Sequence, residues 1–321
     1  MEENLRKIPL IVIAGPTGVG KSALSIELAK HFSGEVINGD SMQIYEALDI
    51  GTGKITEAEM QGIPHHLLSF KKSWESYDAS QFKADATEAI QAIYERGNLP
   101  IVVGGTGLYI EGLLFDLGFG QAGSHDPAVR RRLQERAAAL GNEVLWQELK
   151  AMDAGAAAKI PVQNTRRLIR ALEVIEVTGK LFSEQEEHKN QVQVFDSCLL
   201  VLDRPRDVLY DRINRRVELM IDEGLEEEAE ALYQRSPEQN EQSTKGIGYK
   251  EWWPYFQGQA TLAEVIAAIQ QNSRRYAKRQ LTWFRNRFQE KHWLTIESEA
   301  KALEEAIDIV SRHLNIEEMS N

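Results

Sequence analysis

Residues 15–22, GPTGVGKS, have the clearest chemical pattern in the sequence because they satisfy G-x-x-x-x-G-K-[ST]. Glycines let backbone N–H groups turn toward phosphate oxygens, and a following helix adds its positive N-terminus. Lys21 can meet the terminal phosphate, and Ser22 can be a ligand of Mg²⁺. The segment lies between an apolar run at 8–14 and a helical pattern at 22–32, the context that the motif requires. We therefore predict a phosphate-binding loop made of Gly15, Pro16, Thr17, Gly18, Val19, Gly20, Lys21 and Ser22.

Two further polar segments follow predicted strands. NGDSMQIY (38–45) places Asp40 at the end of one strand, and GGTGLYIEG (104–112) places Thr106 at the end of another. Ligands bind at the carboxyl ends of the strands in open parallel sheets, so both segments are candidates for the same site. An Asp followed by Ser is also a common helix N-cap, and a Gly-rich strand exit alone is weak evidence. The residues by themselves leave both interpretations open.

The elements that must position these residues form an alternating pattern. Short β-rich runs occur at 10–14, 35–38, 100–105, 198–203 and 292–296, and helical patterns occur at 22–32, 79–96, 205–235 and 261–289. Continuous apolar strands that alternate with helices predict a parallel sheet covered on both faces. The fold class is therefore α/β, a P-loop NTPase-like parallel sheet flanked by helices.

An all-helical insertion is expected to interrupt this sheet. Between about residues 118 and 196 the strand pattern is absent, and two helical patterns, 127–141 and 164–179, each end at a glycine. We predict a core of residues 1–117 and 197–321, with residues 118–196 as the insertion domain.

Composition indicates a cytoplasmic protein that does not enter the membrane. Among 321 residues, 42% are hydrophobic and 27% charged, and no apolar stretch approaches the length of a membrane helix. The start of the chain has no signal-peptide pattern. Cys198 is expected to be an inert core thiol, and His65 and His66, adjacent and without nearby acids, to be structural rather than metal ligands.

The net charge of −12 argues against nucleic-acid binding only if the charge is evenly spread, and it is not. Acidic residues gather at 222–231, whereas arginines gather in four clusters at 130–136, 165–170, 204–216 and 274–288. Binding depends on the local field of such clusters. Any one cluster can also be a solvated helix face.

Motifs along nearly the whole chain resemble those of the tRNA dimethylallyltransferase family, also called tRNA isopentenyltransferases or IPP transferases. Each motif alone is modest, but their number and order make the resemblance specific. No Cys/His zinc module is appended, so the chain is similar to the short bacterial type. The motifs, in order, are GPTGVGKS, DSMQIY, GTGK, HHLL, GGTGLY, TRRLIRALEV, RVELMIDEGL, KGIGYKE and AKRQLTWFR.

The resemblance implies a reaction. A dimethylallyl group passes from dimethylallyl diphosphate to N6 of adenosine 37, next to the anticodon of tRNA, and diphosphate is released. Residues 15–22 then hold the diphosphate, with Mg²⁺ near Ser22 as the cofactor. Asp40 is implied as the general base on N6, and Thr106 and Arg216 grip the diphosphate from the other side. Diphosphate departure leaves a cation-like allyl group, so neutralising the charge that develops lowers the barrier.

The resemblance also implies how tRNA is held. The helical insertion is expected to bind the anticodon stem-loop, and the target adenine must be flipped out to reach a buried site. We expect no membrane and no obligate protein partner. The residues implied in tRNA binding are Asp40, Ser41, Met42 and Gln43 beside the base, and Arg166, Arg167, Leu168, Ile169 and Arg170 in the insertion.

Three other functions compete with this one. A small-molecule or nucleotide kinase would also have a phosphate loop, and Asp203, at the end of the predicted strand 198–203, would be its Walker-B aspartate. An adenylate isopentenyltransferase would use free AMP and would not need the basic helices of the insertion. A nucleotide-dependent RNA-binding switch is possible too, but it leaves Asp40 and Thr106 without a role.

Overall fold

The computed structural model describes residues 5, 8–117, 126–186, 193–236, 238 and 241–316. The chain divides into two compact units, one of Met1–Leu114 with Gln193–Asn321 and one of Phe115–Val192. The expected start of the insertion, residue 118, lies outside the described residues. Within those residues, no helix is both long enough and apolar enough to span a bilayer.

The first unit is built on one six-stranded sheet in which every pair of neighbouring strands is parallel. The strand order is β3-β2-β4-β1-β5-β6. The four inner strands are buried along most of their length, as expected for a sheet with helices on both faces. The strands are β1 (Pro9–Ala14), β2 (Gly34–Asn38), β3 (His65–His66), β4 (Leu99–Gly104), β5 (Asp196–Asp203) and β6 (His292–Thr295).

The first four helices connect strands of this sheet. Helix α3 begins at a capping box in which Asp78 accepts backbone N–H groups and Gln81 bonds back to the Asp78 N–H. Helix α1 has no side-chain cap, because Gly20 precedes it in a left-handed conformation. The helices are α1 (Lys21–His31), α2 (Glu57–Met60), α3 (Ala79–Glu95) and α4 (Gly107–Leu114).

The second unit, in its described part, is entirely helical. Two of its helices end at Gly141 and Gly179, the glycines that the sequence suggested as stops. Apolar side chains of four helices, such as Leu133, Leu145, Ala156 and Leu172, form its core. The helices are α5 (Pro127–Leu140), α6 (Asn142–Met152), α7 (Ala154–Lys159), α8 (Thr165–Thr178) and α9 (Phe182–Glu186).

The remaining helices complete the first unit. They are α10 (Arg206–Asp222), α11 (Leu225–Arg235), α12 (Trp253–Phe256), α13 (Leu262–Arg287) and α14 (Glu299–His313), with 3₁₀ turns at Ser243–Lys245 and Lys250–Trp252. The long helix α13 starts at a capping box of Thr261 and Glu264.

One prediction about the elements was wrong, and one short strand was not predicted. The helical pattern 205–235 is two helices, because Gly224 adopts φ 102° between them. Residues 65–66 form a short edge strand that the sequence did not indicate, and His66 Nε2 lies 2.6 Å from the buried carboxylate of Glu35.

Candidate active site

The loop of residues 15–20 is shaped to present backbone N–H groups. Gly15 has φ 145°, and a Cβ atom there would lie 2.7 Å from the carbonyl oxygen of Leu202 on β5. In the described part of the chain, nothing accepts a hydrogen bond from the backbone N–H groups of residues 18–22. These groups lie at the N-terminus of α1, where the helix dipole is positive. The arrangement is a cradle for an anion such as phosphate.

Lys21 lies folded against this loop. Its Nζ donates to the carbonyl oxygens of Gly15 (3.1 Å) and Pro16 (2.8 Å). Burial lowers the pKa of Lys21 to about 8, while the Asp40 carboxylate raises the pKa and Arg216 lowers it further. Three of the predicted site residues therefore lie within electrostatic reach of one another. An anion bound here would favour the protonated form of the lysine.

Asp40 follows β2 and is held by its own strand end. The Asn38 side chain bonds to the Asp40 backbone on both sides, accepting from its N–H and donating to its carbonyl oxygen, at 3.0 Å each. The carboxylate accepts the Met42 N–H through Oδ1 at 2.9 Å, which is an Asx turn. No helix starts after Asp40, so the N-cap alternative is wrong. Among the described residues Oδ2 has no hydrogen-bond partner and can accept a proton from a ligand.

Thr106 joins the loop after β4 to the loop after β2. Its Oγ1 accepts the Ser41 backbone N–H at 3.1 Å and lies 3.3 Å from the Ser41 hydroxyl. A Cβ atom on Gly104 would lie 2.2 Å from the Gly39 carbonyl oxygen, so only glycine permits this approach. Asp40 and Thr106, predicted from separate motifs, thus belong to one polar cluster.

Gln280 on α13 joins this cluster to the phosphate loop, although no role was predicted for it from the sequence. Its side chain is buried; Oε1 accepts the Thr17 N–H and Nε2 donates to the Gly105 carbonyl oxygen, both at 2.9 Å. Tyr276, one turn earlier, hydrogen-bonds with Thr106 and Gln280; burial, then Asp40, raises its pKa. The sequence signal for such a role was the position of this glutamine among the buried, mostly apolar residues of α13.

Arg216 approaches the site from α10. Its Nη2 donates to the Gly53 carbonyl oxygen at 2.9 Å, and burial lowers its pKa while Asp40 raises it. The guanidinium nevertheless stays charged, because the ordinary pKa of arginine is above 12. Its neighbour Arg215 is exposed and pairs with Asp211. Gln43 contacts the same segment of the chain as Arg216, because its Nε2 donates to the carbonyl oxygens of Thr52 (3.2 Å) and Gly53 (3.3 Å).

The basic residues of the second unit fall into two groups. Arg166 and Arg167 at the start of α8 are exposed, whereas Arg170 pairs with the buried Glu173. Leu168 and Ile169, implied in tRNA binding, are buried in the unit's core, so their side chains do not face solvent. Three of the four arginines of α5 form ion pairs with glutamates of the same unit: Arg130 with Glu173, Arg132 with Glu176 and Arg136 with Glu148.

A second basic surface runs along α13. A groove of about 570 Å³ is bordered by one stripe of that helix, and Trp283 in the stripe packs against Gly107, the first residue of α4. Phe284 of the same helix and Phe288, which directly follows the helix, are buried. The residues of the stripe are Arg275, Lys278, Arg279, Thr282, Trp283, Asn286 and Arg287.

Other candidates from the sequence have local roles. Asp203 Oδ1 accepts the Arg204 N–H at 2.8 Å, and burial raises the pKa of Cys198 to about 12. His65 bonds to the Ile63 carbonyl oxygen. Within the described residues no three His, Cys, Asp or Glu side chains cluster as a metal site.

Comparison with known proteins gives consistent relatives. A family model described as IPP transferase matches residues 43–287. The tRNA dimethylallyltransferase of Shouchella clausii is 50% identical over 92% of this chain and 94% of its own, and that of Bacillus pumilus is 49% identical over 88% of each.

Solved structures agree. The tRNA isopentenylpyrophosphate transferase of Bacillus halodurans matches with a TM-score of 0.72 at 43% identity, over 96% of this chain and 97% of that one. A eukaryotic dimethylallyltransferase described as acting on tRNA matches with a TM-score of 0.85 at 31% identity, over 96% of this chain and 80% of that one.

Proposed function

The chain belongs to the IPP transferase family, and on that premise we propose that it is a tRNA dimethylallyltransferase. The reaction transfers the dimethylallyl group of dimethylallyl diphosphate to N6 of adenosine 37, next to the anticodon. The observation that carries the proposal is the meeting of an anion cradle, Lys21 and Arg216 with a carboxylate, Asp40. A prenyl transfer needs both halves of that arrangement, whereas phosphate binding needs only the first.

The leaving group would be held by the phosphate loop. Residues 15–22 would wrap the diphosphate, and the N–H groups of residues 18–22, which have no acceptor among the described residues, would donate to its oxygens. The Lys21 ammonium, which bonds to the Gly15 and Pro16 carbonyl oxygens, would turn to the same anion. Arg216 approaches the same anion from α10, and Thr106 supplies a hydroxyl. Fixed positive groups at the place where negative charge develops stabilise the transition state without reorganisation.

The nucleophile would be activated by Asp40. Adenine N6 attacks C1 of the dimethylallyl group as the C1–O bond to diphosphate breaks. The N6 proton passes to the free oxygen of Asp40, and this proton transfer raises the reactivity of a nitrogen whose lone pair is delocalised into the ring. Ser41, Met42 and Gln43 lie next in sequence and would line the base; the Gln43 amide oxygen has no partner among the described residues, so it can accept from the base edge.

Mg²⁺ fits this site as a metal held mainly by the diphosphate. The exposed Ser22 is the first candidate ligand, and Mg²⁺ at phosphate sites commonly takes few protein ligands and several waters. That pattern agrees with the lack of a three-residue metal cluster in the described part of the chain. The ion would neutralise part of the diphosphate charge.

The RNA would be bound by basic surfaces on both units. In the helical insertion, expected at residues 118–196, Arg166 and Arg167 are exposed for contact with phosphates of the anticodon stem-loop, next to the buried Leu168 and Ile169. The basic stripe of α13 offers a second surface with an aromatic side chain, Trp283. Arg170 pairs with Glu173 one turn along the same helix, so it would be less available than Arg166 for a phosphate contact.

One experiment separates the candidate reactions. The purified protein is incubated with dimethylallyl diphosphate and either tRNA or AMP, and separately with ATP and tRNA. We expect prenylated tRNA and diphosphate only in the mixture of dimethylallyl diphosphate and tRNA. Prenylated AMP with unmodified tRNA would indicate the free-nucleotide transferase, and rapid ATP hydrolysis without prenyl transfer would refute the proposal in favour of a kinase or switch.

A further inference from the structure

Residues 48–54, here called the Gly53 loop, hold two of the proposed substrate-binding side chains at once. The Gly53 carbonyl oxygen accepts from Arg216 Nη2 at 2.9 Å and from Gln43 Nε2 at 3.3 Å. Gly53 has φ 56°, and a Cβ atom there would lie 1.6 Å from Arg216 Nη2. The place of the guanidinium therefore depends on the place of this loop.

One carboxylate outside the site holds the Gly53 loop. Glu228 on α11 accepts the backbone N–H groups of Asp49 (2.7 Å) and Ile50 (2.9 Å) through Oε2, and of Gly51 (2.9 Å) through Oε1. The buried Tyr249 donates its hydroxyl to Oε1 at 2.7 Å. Three charge-assisted bonds to consecutive amides fix a loop far more firmly than one side-chain contact does.

We propose that Glu228 is a positioning residue for the donor site, acting through the Gly53 loop on Arg216 and secondarily on Gln43. The inference rests on the proposed function, because it assigns Glu228 to the transfer of the dimethylallyl group. Glu228 lies in the acidic run 222–231, whose other side chains can be solvated charges. Its bonds to the loop set it apart from its neighbour Glu227, which is exposed.

The variants are Glu228→Gln and, as the matched control, Glu227→Gln. The amide that replaces the Glu228 carboxylate keeps its size but carries no charge, and its NH₂ group faces backbone N–H donors, so the loop loses its fixed position. We measure single-turnover transfer at saturating tRNA across donor concentrations. Glu228→Gln should raise the half-saturating donor concentration by about tenfold, as expected for impaired charge alignment at Arg216. Glu227→Gln should leave this value unchanged.

A double-mutant cycle separates positioning from general stabilisation. In an Arg216→Ala background, Glu228→Gln should raise the half-saturating donor concentration by less than about twofold, because the residue through which it acts is absent. A single-turnover rate constant does not depend on the fraction of molecules that are folded, so partial unfolding would lower only the amplitude. Equal effects of Glu228→Gln in both backgrounds, or a loss of amplitude alone, would overturn the inference. Failure of the wild-type protein to prenylate tRNA would instead refute the proposed function.

Discussion

Donor binding should be coupled to protonation of Lys21. In the free protein, burial lowers the pKa of this ammonium to about 8, and among the described residues it donates to the Gly15 and Pro16 carbonyl oxygens. A diphosphate in the cradle would place several negative charges beside Nζ and raise the pKa again. Since the bound state then holds more protons than the free state, donor affinity must fall as the pH rises through about 8.

The size of the effect follows from the pKa. With a free-state pKa of about 8, the lysine is about 10% deprotonated at pH 7, about 50% at pH 8 and about 90% at pH 9. If the bound lysine stays protonated, these fractions equal the protons taken up per donor. The dissociation constant should then rise about tenfold between pH 7 and pH 9.

Titration calorimetry in buffers of different ionisation enthalpy measures this proton uptake directly. An anticodon stem-loop with guanosine in place of the target adenosine is present, so that the donor binds without transfer. Lys21→Met should bind the donor weakly and show no uptake, whereas Lys30→Met, on the exposed side of the same helix, should behave as wild type. Uptake that is independent of pH, or that persists in Lys21→Met, would refute the assignment of the lysine to the diphosphate.

Three further outcomes are expected from other parts of the chain. Asp40→Asn should lower the single-turnover rate by about 10² or more with tRNA affinity nearly unchanged; lost affinity with a preserved rate would make Asp40 a recognition residue. Arg166→Ala should flatten the dependence of log tRNA affinity on log salt by about 0.7 to 0.9, and Arg216→Ala should not; equal slopes for wild type and Arg166→Ala would leave Arg166 without a phosphate contact. Burial raises the pKa of Glu35, but hydrogen bonds from Arg96, Asn98 and His66 outweigh it and hold the pKa at about 2. The ionised Glu35 therefore stabilises the fold above about pH 4.5, and this stabilisation is lost as the pH falls toward 2. Glu35→Gln should lower the free energy of unfolding at pH 7, measured by urea denaturation, by about 2 kcal/mol.

The fold was largely predictable because the sheet depends on local pattern. All five predicted β-rich runs are strands, and each contains a short apolar segment that is visible in the sequence. The sixth, His65–His66, has no such pattern: a two-residue edge strand pairs through backbone bonds to β2 and is set by its neighbours. Similarly, the helix break at Gly224 depends on a positive φ, which an otherwise helical pattern does not reveal.

The residues of the candidate site were predictable only where a residue type in a short motif has a characteristic chemistry. The GKS sequence and a carboxylate at a strand end are local signals, and the structure brings Lys21 and Asp40 within electrostatic reach. Gln280 and Glu228 act through distant backbone groups: Gln280 bonds to Thr17, more than 260 positions away. No spacing within a motif can predict such a pairing.

Side chains from distant parts of the chain, those of Arg204, Arg212 and Gln280, hold the phosphate loop. Four of its carbonyl oxygens accept hydrogen bonds: those of Gly15 and Pro16 from Lys21, that of Gly18 from Arg212 and that of Val19 from Arg204. Among the described residues nothing accepts from the N–H groups of residues 18–22, which are left for an anion. If the proposed function holds, the backbone dipoles of this cradle are already in place when the diphosphate departs, which is the condition under which fixed dipoles lower a barrier most. On the same proposal, the adenine would have to leave its stack in the anticodon loop to reach Asp40, so we expect discrimination among substrates to come from the RNA side of the site.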